Sequence, residues 1–242
     1  MSKIKKLVII VGTIFAVLLL AIGLLIFSFI LDMRSDSKEE KKVITLAKEY
    51  IDKTFQDKVT IFDTLYDNMG NFNGFEYAAK VHHEKTGTEF LVYQNSETNE
   101  MEDTFIIDKW ENDIAKAIKP SIEKAFGKSL TNKEVKPIID SDDYDEIRDK
   151  MKDNIEINAY LEEEFVKALK LNPNHPNNYT DFELSPTIRI TIPRHQEKKD
   201  EALINEVIQS AQAYNILKHG TFIIDYSDGG VPLEENELRR DF

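Results

Sequence analysis

The stretch Phe75–Phe105, FEYAAKVHHEKTGTEFLVYQNSETNEMEDTF, carries the clearest structural pattern in the chain. Apolar and polar residues alternate in FEYAAKVHH, and TEFLVYQ continues the pattern, as is typical of half-buried strands. The segment EKTGT, which contains Gly87, closes these two strands into a hairpin. NSETNE is a second turn, after which MEDTFIID continues as a strand. The stretch therefore predicts consecutive antiparallel strands.

The residues before this stretch complete a small α+β unit. KVTIFDTLY also shows period two, with Val59, Ile61 and Leu65 on one side and Phe62 and Tyr66 on the other. Apolar residues in Val43–Phe55 recur at three- and four-residue steps, which predicts an amphipathic helix. A helix that covers one face of an antiparallel sheet is the expected arrangement.

A second helix is predicted after the strands. DKWE opens it, with Asp108 and Glu111 placed as a capping box. An apolar stripe runs from Trp110 to Phe126 and crosses Pro120, so either a kink or two abutting helices is expected there. The stripe continues across Pro120, which favours the kink. The first subdomain is therefore predicted at residues 43–127.

A second α+β subdomain is predicted at residues 134–242, with the boundary between the subdomains at 128–133. SPTIRITIP indicates a strand, KKDEALINEVIQSAQAYNILKHG a long helix, and TFIIDY another strand. That succession could be a βαβ crossover with parallel strands. YLEEEFVKALKLN shows helical spacing from Tyr160 to Leu169.

The N-terminal segment contains an uncharged apolar run, Leu7–Leu31. In a helix it would rise about 37 Å, enough to cross a hydrocarbon core of roughly 30 Å. The apolar region of a cleaved signal peptide is only about 7–15 residues, and no small residues follow the run to mark a cleavage site. Residues 1–31 are therefore predicted as a short tail and a transmembrane signal anchor, with a charged linker at 32–42.

The orientation of this anchor follows from its flanks. Lys3, Lys5 and Lys6 favour a cytoplasmic N-terminus. Basic residues also follow the run, so the count alone leaves the opposite orientation open. The very short N-terminal tail resembles a signal anchor and favours an extracytoplasmic C-terminal domain at the cell membrane.

The composition narrows the classes of function. Three of the 31 basic residues precede residue 32, so 28 basic residues face 44 acidic ones in residues 32–242, a net charge of −16. Such a charge disfavours nucleic acid and anionic lipid headgroups as partners. The chain has no cysteine, which excludes disulfides and thiolate chemistry. Solubility alone accounts for such a negative charge, and a cationic partner is the open alternative.

The sequence motifs predict no catalytic, cofactor-binding or metal-binding residue. The histidines are His82, His83, His175, His195 and His219, and none has the spacing of a helical metal site. His82 and His83 should point to opposite faces of a strand, as surface residues near its end. No nucleophile elbow or phosphate-binding glycine pattern occurs, and Ser227 before Asp228-Gly-Gly reads as a turn.

Two acidic runs invite a functional reading. DSDDYDE at Asp140–Glu146 departs from a calcium loop, because its sixth position is Asp145 rather than glycine. Helix capping by Asp143 and Glu146 is the preferred interpretation. EEEF at Glu162–Phe165 is interpreted as a solvated helix face. The aromatic residues Phe75, Tyr77, Phe90 and Tyr93 are expected in the core, so no binding residue is nominated.

A helix followed by a strand meander behind a single anchor resembles the small cystatin-like or PepSY-like ectodomains of Gram-positive membrane proteins. Val43–Phe55 and Phe75–Ile107 carry this resemblance, about a third of the chain. It implies a binding or regulatory module rather than a catalyst.

The sequence thus predicts an α+β protein with an N-terminal transmembrane helix, an antiparallel sheet with covering helices and a second α/β subdomain. The expected function is a non-catalytic acidic ectodomain that binds a protein or envelope component at the bacterial cell surface. The alternatives are an envelope hydrolase or protease accessory protein, and a membrane-bound immunity-type protein.

Overall fold

The computed structural model describes residues 13, 15, 17–28, 34–72, 74–131, 134, 144–234 and 237–242, with side chains omitted at 144–147. By its internal contacts the chain divides into two units. The first comprises Met1–Lys53, Ile61–Val81 and Leu91–Asp103. The second comprises Thr54–Thr60, His82–Phe90 and Thr104–Phe242. Each unit is described separately.

Helix α1 (Ser37–Thr54) belongs to the first unit. It begins where the Asp36 carboxylate accepts a hydrogen bond of 2.8 Å from the Lys38 amide, as an N-cap residue does. Val43, Ala47 and Ile51 are buried at four-residue spacing. One face of the helix is therefore in the core, which confirms the predicted amphipathic helix.

Four strands form the first sheet, in the order in which they follow one another along the chain. They are β1 (Val59–Tyr66), β2 (Tyr77–His83), β3 (Thr88–Gln94) and β4 (Met101–Asp103). The turn from β2 to β3 is closed by a 2.8 Å hydrogen bond from the Gly87 amide to the His83 carbonyl. β3 and β4 pair antiparallel. The predicted meander is confirmed, except that the last strand ends at Asp103 instead of continuing through MEDTFIID.

The second unit contains most of the remaining elements. They are α2 (Phe105–Phe126), β5 (Ser129–Thr131), α3 (Tyr144–Met151), β6 (Ile155–Tyr160), α4 (Glu163–Ala168), a 3₁₀ turn (Tyr179–Asp181), β7 (Thr187–Ile192), α5 (Asp200–Ala213), β8 (Thr221–Asp228), β9 (Val231–Pro232) and β10 (Leu238–Asp241).

These strands form a mixed sheet in the order β10-β8-β7-β6-β5, with β9 paired to β8. β7 and β8 are parallel and α5 connects them, which confirms the predicted βαβ crossover. β6 is parallel to β5 and antiparallel to β7. β6 was not predicted from the sequence, and the helix predicted after it was extended back to Tyr160, which instead ends this strand.

Isoleucine-rich rows from the sheet form the core of the second unit together with helices α2 and α5. The buried residues are Ile155, Ile157, Ala159, Ile188, Ile190, Ile192, Phe222, Ile224 and Tyr226 on β6–β8, Trp110, Ile114, Ile118 and Ile122 on α2, and Ile204, Val207 and Ala211 on α5. In each strand these residues occupy alternate positions, so the helices cover one face of the sheet.

Helix α2 corrects the predicted capping box. It begins at Phe105 rather than at Asp108, and this earlier start places Phe105 in a fully buried position. Asp108 accepts a 2.5 Å hydrogen bond from the Thr104 hydroxyl, and Glu111 accepts one of 2.9 Å from the Leu161 amide. One helix runs through Pro120, so two abutting helices are not formed there.

The domain limits 43–127 and 134–242 stay predictions of the sequence. By internal contacts, all of α2 falls within the second unit, whereas the sequence had grouped this helix with the meander. Residues 132, 133 and 135–143, between β5 and α3, lie outside the described residues, and so does the proposed cap at Asp143.

The predicted transmembrane segment Leu7–Leu31 lies partly outside the described residues. Positions 17–28 within it are helical. Among the residues that the structure describes, no helix combines the length and the apolar character needed to cross a bilayer. The transmembrane helix therefore stays a prediction.

A buried ion pair anchors the start of α5. The Arg194 guanidinium binds both carboxylate oxygens of Asp200, at 2.9 and 2.7 Å, and the Asp200 side chain is fully buried. The Glu197 amide and the Tyr226 hydroxyl donate to the same carboxylate at 2.9 and 3.0 Å. Burial alone would raise the pKa of Asp200, but the bonds from Arg194, Glu197 and Tyr226 hold this pKa below its ordinary value.

We expect Asp200→Asn to lower the free energy of unfolding by about 3 kcal/mol or more at neutral pH, because the substitution leaves Arg194 without its buried counter-charge. The folded-state pKa is depressed, so ionised Asp200 contributes its full stabilisation above about pH 4 and loses it as the pH falls through the folded-state pKa. Chemical denaturation followed by fluorescence of the single Trp110 measures both effects. The exposed Asp153→Asn is the control, with an expected change within about 0.5 kcal/mol; an equal loss in the two variants would contradict the anchoring role.

Candidate protein-binding surface

The face of the second sheet opposite α2 and α5 is mainly polar. Because side chains alternate along a strand, burial of Ile155, Ile157 and Ala159 places Glu156 and Tyr160 on the other face. The same rule places Arg189 of β7 and Asp225 of β8 there. This face therefore carries the ionisable side chains of the sheet centre.

Local hydrogen bonds hold the polar groups of this face in place. Arg189 donates to the Asp225 carboxylate at 2.6 Å. The amide of Asn158, a buried residue, donates to Glu156 at 2.9 Å. The register places Asn158 opposite Arg189 and Tyr160 opposite Thr187. These contacts fix the positions of the charged groups near Tyr160.

Tyr160 is the exposed aromatic residue of this face, with 46% of its surface accessible. Its pKa is raised above the ordinary value, first by partial burial of the phenol and then by the negative charge of Glu156. Arg189 opposes the increase, whereas Glu111 and Asp225 add to it. The phenol therefore stays neutral at physiological pH, and both its partial burial and the nearby carboxylates favour that form.

The segment that follows Tyr160 extends the acidic character. Glu162, Glu163 and Glu164 are exposed, and Phe165 behind them is 41% exposed. Glu163 pairs with Lys167 at 2.9 Å. Carboxylates at a helix N-terminus are favoured by the helix dipole. We call Glu156, Tyr160, Glu162–Phe165, Arg189 and Asp225 the Tyr160 surface.

The raised pKa limits the chemistry open to the phenol of Tyr160. A tyrosine that acts as a nucleophile or a general base needs a lowered pKa, but the pKa of Tyr160 is raised. An exposed ring beside carboxylates can instead bind a lysine or arginine side chain through cation–π contact and charge. Aromatic residues are also enriched among the residues that contribute most to protein interfaces.

The sequence led to expectations for two parts of the Tyr160 surface, and the structure agrees with one of them. Glu162–Phe165 are exposed, in agreement with the interpretation of EEEF as a solvated helix face. Tyr160 was expected on the apolar side of a helix, and that expectation is wrong because Tyr160 ends a strand. The signal that could have revealed it is the alternation of Ile155, Ile157 and Ala159 before it.

The adjacent histidines differ in environment, as their opposite directions on a strand predict. His82 is half-buried, but His83 is buried, so its expected surface position is wrong. Its ring packs against Phe105, with centroids 4.8 Å apart. Burial lowers the pKa of His83, and Asp57, 3.8 Å away, opposes the decrease. The surface prediction fails for His83 because its side chain lies on the buried side of β2.

Other candidate residues take structural positions. Phe75, Phe90 and Tyr93 are buried and Tyr77 is half-buried, in agreement with their predicted place in the core. Ser227 lies at the end of β8, where β8 and β9 form a hairpin.

No metal site emerges from the described part of the chain. No three histidine, aspartate or glutamate side chains in that part lie together as ligands of one ion would. The acidic run Asp140–Glu146 lies outside the residues whose side chains are described. A cleft beside Tyr179, Phe182 and Leu217 has a volume of about 20 Å³, which is room for about one water molecule.

Comparisons with known proteins assign no family to this arrangement. No protein-family model, no curated protein and no solved structure matches the chain. The resemblance to cystatin-like or PepSY-like ectodomains therefore stays a prediction, carried by the residues quoted for it.

The electrostatics of the Tyr160 surface can be tested by titration. We expect Glu156→Gln to lower the raised pKa of Tyr160 and Arg189→Gln to raise it further, since the first removes a nearby negative charge and the second a positive one. Near-ultraviolet absorbance of the phenolate measures this pKa, as the difference between each protein and its Tyr160→Phe counterpart. Glu206→Gln on α5 is the control; shifts of the same sign in the two test variants would contradict the assigned field.

Proposed function

We propose that the chain is a membrane-anchored, non-catalytic protein whose acidic ectodomain binds a cationic segment of another envelope protein. The Tyr160 surface is the proposed binding site. The observation that carries this proposal is the pair of exposed aromatic residues, Tyr160 and Phe165, on either side of three consecutive exposed glutamates.

The proposed partner follows from the chemistry of this surface. Carboxylates attract lysine and arginine, and an aromatic face adds cation–π attraction once water is excluded. The phenol of Tyr160, which stays neutral, can also donate a hydrogen bond. A segment that carries lysine or arginine next to an apolar residue would match both features.

The charge of the whole chain supports the same choice of partner. Residues 32–242 carry a net charge of −16, so the long-range field attracts cationic proteins and repels acidic ones. That field accelerates encounters, whereas local contacts at Tyr160 and Phe165 would supply the specificity. The chain therefore contains residues for both contributions, long-range attraction by its net charge and specificity by Tyr160 and Phe165.

Anchoring to the membrane is the second part of the proposal. It rests on the uncharged run Leu7–Leu31 and on Lys3, Lys5 and Lys6 before it. The helical conformation of residues 17–28 is compatible with such a span. The proposed orientation has a cytoplasmic N-terminus and an extracytoplasmic ectodomain.

Site-specific photocrosslinking tests the binding site in the full-length protein, expressed in its native cells. A photoreactive amino acid at position 160 should capture a basic envelope protein, whereas the same group at Tyr214, which is 77% exposed, should not. Glu164→Lys should reduce the yield about tenfold, because reversing one contact charge costs on the order of 1.4 kcal/mol. High salt should weaken capture as well.

Glu206→Lys is the matched control, since it makes the same change of charge at an exposed position on α5. Equal loss of capture in Glu164→Lys and Glu206→Lys would contradict a local site, and equal labelling from positions 160 and 214 would do so too. The captured protein also separates the alternatives: a toxin would indicate an immunity-type protein, and a hydrolase or protease would indicate an accessory protein.

Reporter fusions at Phe242 test the topology. Alkaline phosphatase, which is active only outside the cytoplasm, should be active in this fusion, and a fluorescent protein that folds only in the cytoplasm should stay dark. Deletion of residues 2–31 should release the phosphatase fusion from the membrane fraction and abolish its activity. Fluorescence of the full-length fusion would contradict the proposed orientation.

A further inference from the structure

Strand β1 is an edge strand of the first sheet, because within the described residues it is paired with β2 alone. Its eight residues are VTIFDTLY. Phe62 at its middle is 48% exposed, and Thr60 and Asp63 are exposed as well. A long edge strand with an exposed aromatic residue is a ready template for pairing with another strand.

Two threonines are placed symmetrically about Phe62 in the sequence of β1. In TIFDT, Thr60 and Thr64 lie two residues before and two residues after Phe62. If two copies of the strand paired antiparallel around Phe62, the two Phe62 rings would be neighbours on one face, flanked by two Thr60–Thr64 pairs. Aromatic–aromatic and threonine–threonine pairs are among the cross-strand pairs that stabilise antiparallel sheets.

The charge of the strand also permits this pairing. Asp63 is the one ionisable carboxylate in β1, and Lys80 of β2 lies 3.3 Å from it. In the register described, Asp63 would oppose Ile61 of the other copy, so no two like charges are placed directly opposite each other. The edge is therefore a nearly neutral strip on an acidic protein.

We infer that β1 is a self-association edge that joins two copies of this chain antiparallel across a two-fold axis at Phe62. A two-fold contact requires a self-complementary surface, and the arrangement of β1 satisfies that requirement. One strand pair buries less than the roughly 1,200 Å² of a standard interface. The expected dimer is therefore weak and reversible.

Single-cysteine crosslinking tests the pairing and its register, since the natural chain has no cysteine. Opposed residues in an antiparallel pair have Cα atoms about 4.5–5.5 Å apart, within reach of a disulfide. Phe62→Cys in full-length protein, oxidised in membranes, should therefore give a covalent dimer. Thr60→Cys alone should not, because its two copies would lie about 14 Å apart along the strands.

Co-expression of Thr60→Cys and Thr64→Cys chains with different tags should restore crosslinking between the two tagged chains. Tyr214→Cys is the control for random collision, because Tyr214 is highly exposed and lies on neither β1 nor its sheet. Circular dichroism checks that each variant keeps its secondary structure.

Two results would overturn the inference. One is a Phe62→Cys dimer yield no higher than that of Tyr214→Cys, and the other is Thr60→Cys alone crosslinking as strongly as Phe62→Cys. Crosslinking of Phe62→Cys to a different protein in place of a second copy would also overturn it, since the edge would then pair with a foreign strand.

Discussion

The alternation of buried residues along β6 and β7 is the constraint on which the second unit depends. Ile157, Ile188 and Ile190 are completely buried against the layer of helices α2 and α5. Each buried isoleucine contributes about 1.5–3 kcal/mol relative to an exposed one. A slip of one residue in either strand would turn its whole row to the opposite face. The register is therefore strongly specified, and the composition of the second face follows from it.

This constraint separates the residues that hold the fold from those available for binding. Glu156 and Tyr160 are on the polar face because their neighbours must be on the buried face. The polar face adds its own short contacts, such as the Arg189–Asp225 pair, but these are partly exposed and contribute little to stability. The charged residues of the polar face can therefore be substituted while the buried isoleucines maintain the fold. Tyr160 lies where β6 ends and the chain continues into the acidic residues at the start of α4, so it belongs to both features.

Local sequence patterns predicted those parts of the fold in which neighbouring elements follow one another along the chain. The hairpin through Gly87 and the crossover from β7 to β8 were predicted because strand, turn and helix signals occur in direct succession. β6 was missed because the spacing from Tyr160 to Leu169 also fits a helix, and this signal was stronger than the short alternation before it. β5, with three residues, is too short to show a period.

The candidate surface could be predicted only in part, because the exposure of some of its residues depends on pairing between segments that are distant in the sequence. Exposure of the three glutamates before Phe165 follows from their local composition, whereas exposure of Tyr160 depends on which strands pair with β6. The edge position of β1 likewise depends on pairing across the sheet, so VTIFDTLY alone indicates a strand but gives no information on its neighbours.

The distribution of charge gives the two proposed surfaces different partners. Copies of an acidic chain repel each other over a distance of about a Debye length, roughly 8 Å at physiological ionic strength. Self-association is therefore least opposed along a strip where charges are few or neutralised, and β1 around Phe62 is such a strip. The Tyr160 surface has the opposite character, because its carboxylates would face those of a second copy. Acidity would thus exclude self-association at Tyr160 while favouring a cationic partner there.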